Sequence, residues 1–227
     1  MKFFLLILVI LGVACSSIEY RYDEDDSGVV MTGIKTYSLF YNDEELVNIK
    51  ISKQDGGRIE NISWEGKSIV AKPIIEQYPS KALSFHKLRA NLINDGQGLV
   101  DVLTTNRGIY QFRRSYNLSY DEDMEKFILE VRYNVKNHSS ENALEQKWDQ
   151  KVTLDGKDFK IAPEGTGFIA VSEEKNIKMT IQPFIEKAYK SNLGNEISMG
   201  HAQAFKLGTK ERLNWTVRYE LEIIDSK

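Results

Sequence analysis

The 227-residue chain has one cysteine, four prolines, three histidines and no surplus of positive charge. A single cysteine excludes an internal disulfide scaffold and any cysteine-rich zinc site. His86, His138 and His201 lack the paired spacing of a structural zinc site, so no metal is expected. Four prolines and 15 glycines leave no room for a long low-complexity linker. With 30 Lys and Arg against 33 Asp and Glu, the basic footprint of a nucleic-acid binder is missing. G-x-S-x-G, the P-loop, the dinucleotide fingerprint and H-E-x-x-H are absent as well, and no cofactor is implied. What is present suits a folded chain: 41% hydrophobic and 28% charged residues exclude wholesale disorder and suffice for a core.

The one long apolar run stands at the start. Lys2 precedes Phe3 to Ala14, 12 residues, whereas a membrane-spanning helix needs about 20. A cation, an apolar run and then small residues is the order of a secretory signal peptide. Gly12-Val13-Ala14-Cys15 resembles the lipobox of bacterial lipoproteins, although Gly12 stands where Leu is usual and Leu11 lies one position further back. The resemblance implies removal of residues 1–14 and a diacylglycerol on Cys15, which anchors the chain to a lipid bilayer. Ser16 is not the Asp that retains such proteins in an inner membrane, so the expected location is the cell envelope, at the outer membrane.

Residues 15–32 read as an acidic tether, because Asp23-Glu24-Asp25-Asp26 repels itself. A calcium site is the alternative, but no D-x-[DN]-x-[DN]-G loop follows. Taking Lys2 and Arg21 from the basic residues, and Glu19 with 23–26 from the acidic ones, leaves 28 of each sign. Residues 33–227 are therefore neutral, and they show no repeat and no linker. One domain is expected there.

Its strongest pattern has period two. Phe127, Leu129, Val131, Tyr133 and Val135 alternate with polar or outward positions, as do Leu213, Trp215, Val217, Tyr219, Leu221 and Ile223. Each run predicts a long half-buried antiparallel strand. Further strands are expected over 35–41, 46–52, 58–64, 68–72, 108–119, 147–154, 159–162, 167–172 and 177–182. Asp55-Gly56, Glu65-Gly66, Asp95-Gly96 and Asp155-Gly156 supply turns. Single helical turns fit 143–150 and 183–190. The fold class is all-β, an antiparallel sandwich or barrel.

Gly56-Gly57-Arg58-Ile59, followed by Ile62, Trp64, Gly66 and Ile69, resembles the opening of galactose-mutarotase-like domains. Arg114-Ser115-Tyr116-Asn117-Leu118, the acidic turn Asp121 to Asp123, the strand from Phe127 and Asn137-His138-Ser139 match their middle. Leu207-Gly208-Thr209 before the strand at Trp215 resembles their close. The resemblance implies a two-sheet β-supersandwich whose concave face commonly receives carbohydrate. It does not settle function, since the fold serves epimerases, lyase domains and noncatalytic modules.

Catalytic members of that family use Glu and His as acid and base, with Arg and Asp holding the sugar. His86 and Arg89 lie three apart, where one subgroup writes H-G-x-x-R, and on a strand that difference reverses the face. His138 reads as a surface turn, and His201, after Met199-Gly200, as a loop or cleft residue. Glu164 lies in Pro163-Glu164-Gly165-Thr166-Gly167, a hairpin turn that a ligand can also approach. Catalytic candidates are thus His86, His201 and Glu164. Among sugar-holding candidates, Trp148 is flanked by Lys147 and Asp149 and is expected as an exposed stacking platform; Trp215 belongs to the core face. Arg89 and Arg114 are the candidate cations for a carbohydrate ligand. The leading expectation is a noncatalytic, membrane-anchored carbohydrate binder. Alternatives are an envelope assembly lipoprotein and an aldose 1-epimerase-like enzyme.

Overall fold

The computed structural model describes residues 19–22, 27–32, 36–41, 46–52, 57–77, 89–92, 99–106, 110–141 and 143–224. Among them are 20 strands and no helix. The first six strands are β1 (Glu19–Tyr22), β2 (Ser27–Thr32), β3 (Thr36–Tyr41), β4 (Val47–Ser52), β5 (Ile59–Trp64) and β6 (Lys67–Ser68). They form one antiparallel meander in chain order. Next come β7 (Ile75–Gln77), β8 (Arg89–Leu92), β9 (Leu99–Asn106), β10 (Tyr110–Asp121), β11 (Lys126–Asn137), β12 (Leu144–Gln146) and β13 (Asp149–Thr153). The last seven are β14 (Lys160–Glu164), β15 (Gly167–Ser172), β16 (Ile177–Phe184), β17 (Ala188–Leu193), β18 (Glu196–His201), β19 (Phe205–Leu207) and β20 (Arg212–Ile223).

An eight-stranded sheet, ordered β14-β15-β16-β20-β11-β10-β9-β8, forms one layer. The facing layer is divided. The meander covers one half, where Trp64 of β5 meets Phe127 of β11 edge-on with ring centres 5.5 Å apart. A four-stranded sheet, ordered β17-β18-β13-β7, covers the other half, and there Trp148 packs 5.2 Å from Tyr133 of β11. The two smaller sheets join where Val70 bridges to Leu154 and the Ala71 amide donates to the Thr153 carbonyl at 2.8 Å. A short β12-β19 ribbon completes the array.

The alternation in the sequence is what builds the large sheet. On β11, Phe127, Leu129, Val131, Tyr133 and Val135 are buried and their neighbours are not. On β20 the buried set is Trp215, Val217, Tyr219 and Leu221. The register sets Leu129 opposite Tyr219 and Tyr133 opposite Trp215, so the inward faces of both strands coincide. Each large apolar side chain buried this way contributes roughly 1.5–3 kcal/mol. The all-β antiparallel sandwich expected from the sequence is the fold observed.

Three expectations need correction. Neither helical turn exists: 143–150 holds β12 and the start of β13, and 183–190 holds the end of β16 and the start of β17. Cross-strand pairing and burial on the sandwich override the local helical tendency. Within the expected tether, β1 and β2 pair from Glu19–Val30 to Tyr22–Ser27, while the acidic run 23–26 lies outside the described residues. Finally, the stretch between 72 and 108, for which the sequence predicts no strand, contributes β7, β8 and β9, and β9 runs along β10 for eight residue pairs.

Candidate functional site

Beneath the four-stranded sheet the interior is polar. The inward series of β10 includes Arg114 between Phe112 and Tyr116, all three buried. Arg114 forms an ion pair with Glu76 of β7; their side chains are only 2% and 6% exposed. Tyr133 donates to the other Glu76 oxygen at 2.5 Å, and the Gln150 amide reaches the same oxygen at 3.4 Å. Tyr219 donates to Gln150 at 3.0 Å, and Tyr116 donates to the Gly57 carbonyl. The Arg114 guanidinium also lies over the Phe112 ring, 4.7 Å from its centre. Burial drives the ionisation of all three tyrosines upward, and the Glu76 charge adds to that effect. The phenols therefore stay protonated and act as donors. Each group is held between the two layers, and the cluster's role is to satisfy a buried charge pair.

At the adjoining end of the sandwich the interior opens into a cleft of about 290 Å³. Three separate segments form it: the β16–β17 connection, the stretch from the end of β18 into β19, and the start of β20. Phe184, Phe205 and Trp215 supply apolar surface, while Gln203, Lys187 and Asn214 supply polar groups. Phe184 is 50% exposed, and the Arg218 guanidinium sits 5.4 Å from its ring centre. The volume lies just below the range of about 300–1,000 Å³ typical of small-molecule sites.

His201 forms the inner wall. Its ring stands edge-on to Trp215 at 5.2 Å and to Trp148 at 6.2 Å, and it tilts against Phe205 at 5.1 Å. Gly200 permits this approach. A Cβ there would come within 2.3 Å of the Trp148 carbonyl oxygen, so any side chain would push β18 away from β13. Burial pulls the His201 pKa below its ordinary value, opposed by the Trp148 backbone and Asp149; Lys147 adds to the lowering. The imidazole is neutral at pH 7. Its Nδ1 and the Trp215 Nε1 are both buried without a hydrogen-bond partner.

The other sequence candidates scatter. Cys15 and His86 lie outside the described residues. Arg89 begins β8, the outermost strand of the large sheet, in register with Leu103. Glu164 is exposed at the β14–β15 hairpin, paired with Gly167, away from the cleft lining. The turn reading of 163–167 is therefore the structural one. His138 is on the surface, 3.0 Å from Gln111 through its Nε2. Trp148 is fully buried and is not an exposed platform. Its charged neighbours point outward, while Trp148, Gln150 and Val152 form one inward series. Arg114, proposed to hold a ligand, is occupied by Glu76.

Among the described sequence candidates, only His201 lines the cleft. Phe184, Phe205 and Asn214 were missed, as was Glu76. The exposed Phe184 beside Pro183 was the one available signal; Glu76 sits in a three-residue strand with no periodicity to mark it. Among the described residues, no three His, Cys, Asp or Glu converge as a metal site.

No family model matches the sequence, and none of the curated proteins compared with it is similar. Solved structures do share its shape. The Slr1438 protein from Synechocystis sp. PCC 6803 superposes with a TM-score of 0.60 at 9% identity, over 83% of this chain and 96% of that one. The heparinase III-BT4657 gene product gives 0.56 at 11% identity over 82% of this chain, which spans 34% of that larger protein. A GalM/aldose epimerase homologue from C. elegans overlaps more loosely, at 0.41 and 7% identity. At these identities the first two likenesses show a common β-sandwich fold and nothing further, and the third is too loose to add to them.

Proposed function

We propose that this protein is a lipid-anchored component of the bacterial cell envelope whose β-sandwich binds carbohydrate without transforming it. The observation that carries the binding reading is the cleft, where Phe184, Phe205 and Trp215 adjoin Gln203 and Asn214. Apolar ring faces beside a few convergent polar groups suit the C–H faces and hydroxyls of a sugar, and the volume suits one ring. The fold shared with a protein named as a heparinase supports this reading, as does the mutarotase-like order of sequence motifs. A noncatalytic role follows from the acid–base requirement. No described carboxylate hydrogen-bonds to His201, and Glu164 lies elsewhere. Anchoring through a diacylglycerol on Cys15, at the outer membrane, rests on the lipobox resemblance and on Ser16.

A glycan array probed with the chain from Ser16 onward tests the binding, with Phe184→Ala and Asn214→Ala as cleft variants. Saccharide hits that both variants lose support it; a blank array from folded protein refutes it. Ring-opening rates of the hit sugars above the buffer rate would overturn the noncatalytic assignment. Metabolic labelling with a palmitate analogue, lost in Cys15→Ser, tests the anchor.

A further inference from the structure

The opposite end of β11 and β20 carries a second cavity, of about 440 Å³. Trp64 and Phe127 form its floor. Its rim is apolar and open: Tyr120, Met124 and Ile223 are 36%, 51% and 53% exposed. These are three of the five large hydrophobic side chains exposed among the described residues, gathered around one opening. Such gathering on a surface marks an interaction site.

The surroundings are acidic. The β10–β11 turn reads Asp121-Glu122-Asp123-Met124-Glu125. The Met124 amide donates to the Asp121 side chain at 3.1 Å, and Glu125 takes a positive φ of 52°, which together hold Met124 at the tip. Glu122, Asp123 and Glu125 make no ion pair among the described residues. The nearby cations are already engaged: Lys126 lies 3.4 Å from Glu220 and 3.5 Å from Glu222, and Lys178 also pairs with Glu222. A cavity ringed first by apolar and then by anionic side chains states the chemistry of its complement.

We propose that this end docks a protein segment presenting an aliphatic side chain flanked by Lys or Arg. The aliphatic group enters between Tyr120, Met124 and Ile223 onto Trp64 and Phe127. The cations meet Glu122, Asp123 and Glu125. This surface is separate from the cleft and does not depend on carbohydrate binding.

The probe is a fluorescent seven-residue peptide alternating lysine and leucine, with a glutamate–leucine peptide as its counterpart. Both are titrated against the full chain in neutral phosphatidylcholine nanodiscs, with empty discs as the blank. The expected result is saturable binding of the lysine peptide alone. In protein carrying 5-fluorotryptophan, the Trp64 resonance moves while those of Trp148 and Trp215 stay fixed. Combined Glu122→Lys and Glu125→Lys weakens binding about tenfold, the effect of removing several rim charges. Met124→Ser weakens it about fivefold through lost apolar burial. All three substitutions are on exposed positions and leave the fold intact. Absence of binding, equal binding of the glutamate peptide, or affinity unchanged in both variants overturns the proposal. So does self-association of the chain through this end that excludes the peptide.

Discussion

The two halves of the interior are built on different terms. Under the six-stranded meander the space is hydrocarbon and indole: Val47, Ile49, Ile51, Ile62 and Trp64 face Leu129 and Phe127 within one apolar cluster. Under the four-stranded sheet the same β10 and β11 send in Arg114 and Tyr133, and the facing layer answers with Glu76 and Gln150. An apolar half tolerates substitution of similar volume, because dispersion is nondirectional. A buried ionic half works only when every member is present, since a lone charge there has no solvent to turn to. The open cleft adjoins the polar half, where side-chain positions are fixed by hydrogen bonds.

The strongest challenge to this contrast is Glu76→Leu, which strands the Arg114 guanidinium. A loss of about 3–5 kcal/mol is expected in denaturant melts. Adding Arg114→Met should restore much of it, and failure of the double variant to recover would show that the pair is not the cause. Tyr133→Phe, which removes one donor to Glu76, should cost about 1–3 kcal/mol in the same assay. In the apolar half, Ile49→Val should cost about 0.5–1.5 kcal/mol, with no partner able to rescue it. An Ile49→Val penalty exceeding that of Tyr133→Phe would erase the distinction.

His201 supplies a pH test. Its folded pKa is depressed, so the unfolded chain binds the proton more readily. Stability is complete above the ordinary imidazole value of 6.5 and falls as pH drops from there toward the folded value. Melting temperatures between pH 7.5 and 5 should decline for the parent more steeply than for His201→Phe. The smallest effect is expected at Phe184→Ala, where stability should stay within about 0.5 kcal/mol of the parent while saccharide binding is lost. A large drop in stability would mean that the exposed ring is structural.

Much of the large sheet was legible. β11 follows strict alternation and its inward face comes out as read; on β20 Trp215, Val217, Tyr219 and Leu221 do so, whereas Leu213 is half-buried and Ile223, at the strand's end, is exposed. The hairpin at 163–167 was legible for the same local reason, a glycine-bearing turn between two strand-forming runs. Trp148 was misjudged because flanking charges were weighed as a sign of exposure. Period two alone would have set it beside Gln150 and Val152 on the buried side. Glu76 had no such cue, because three residues of strand carry no pattern and its partner is 38 positions away.

The sequence by itself determined the strand class, the turns at glycine, and which face of the long strands is apolar, because these depend on chain neighbours and on a period of two. Tertiary structure decided what those faces meet. It gave Arg114 its carboxylate, enclosed Trp148, and brought residues from 184 to 187, 201 to 205 and 213 to 215 around one cleft. Those outcomes are set by the order of strands across sheets, where partners distant in the chain become neighbours and no local pattern records the match.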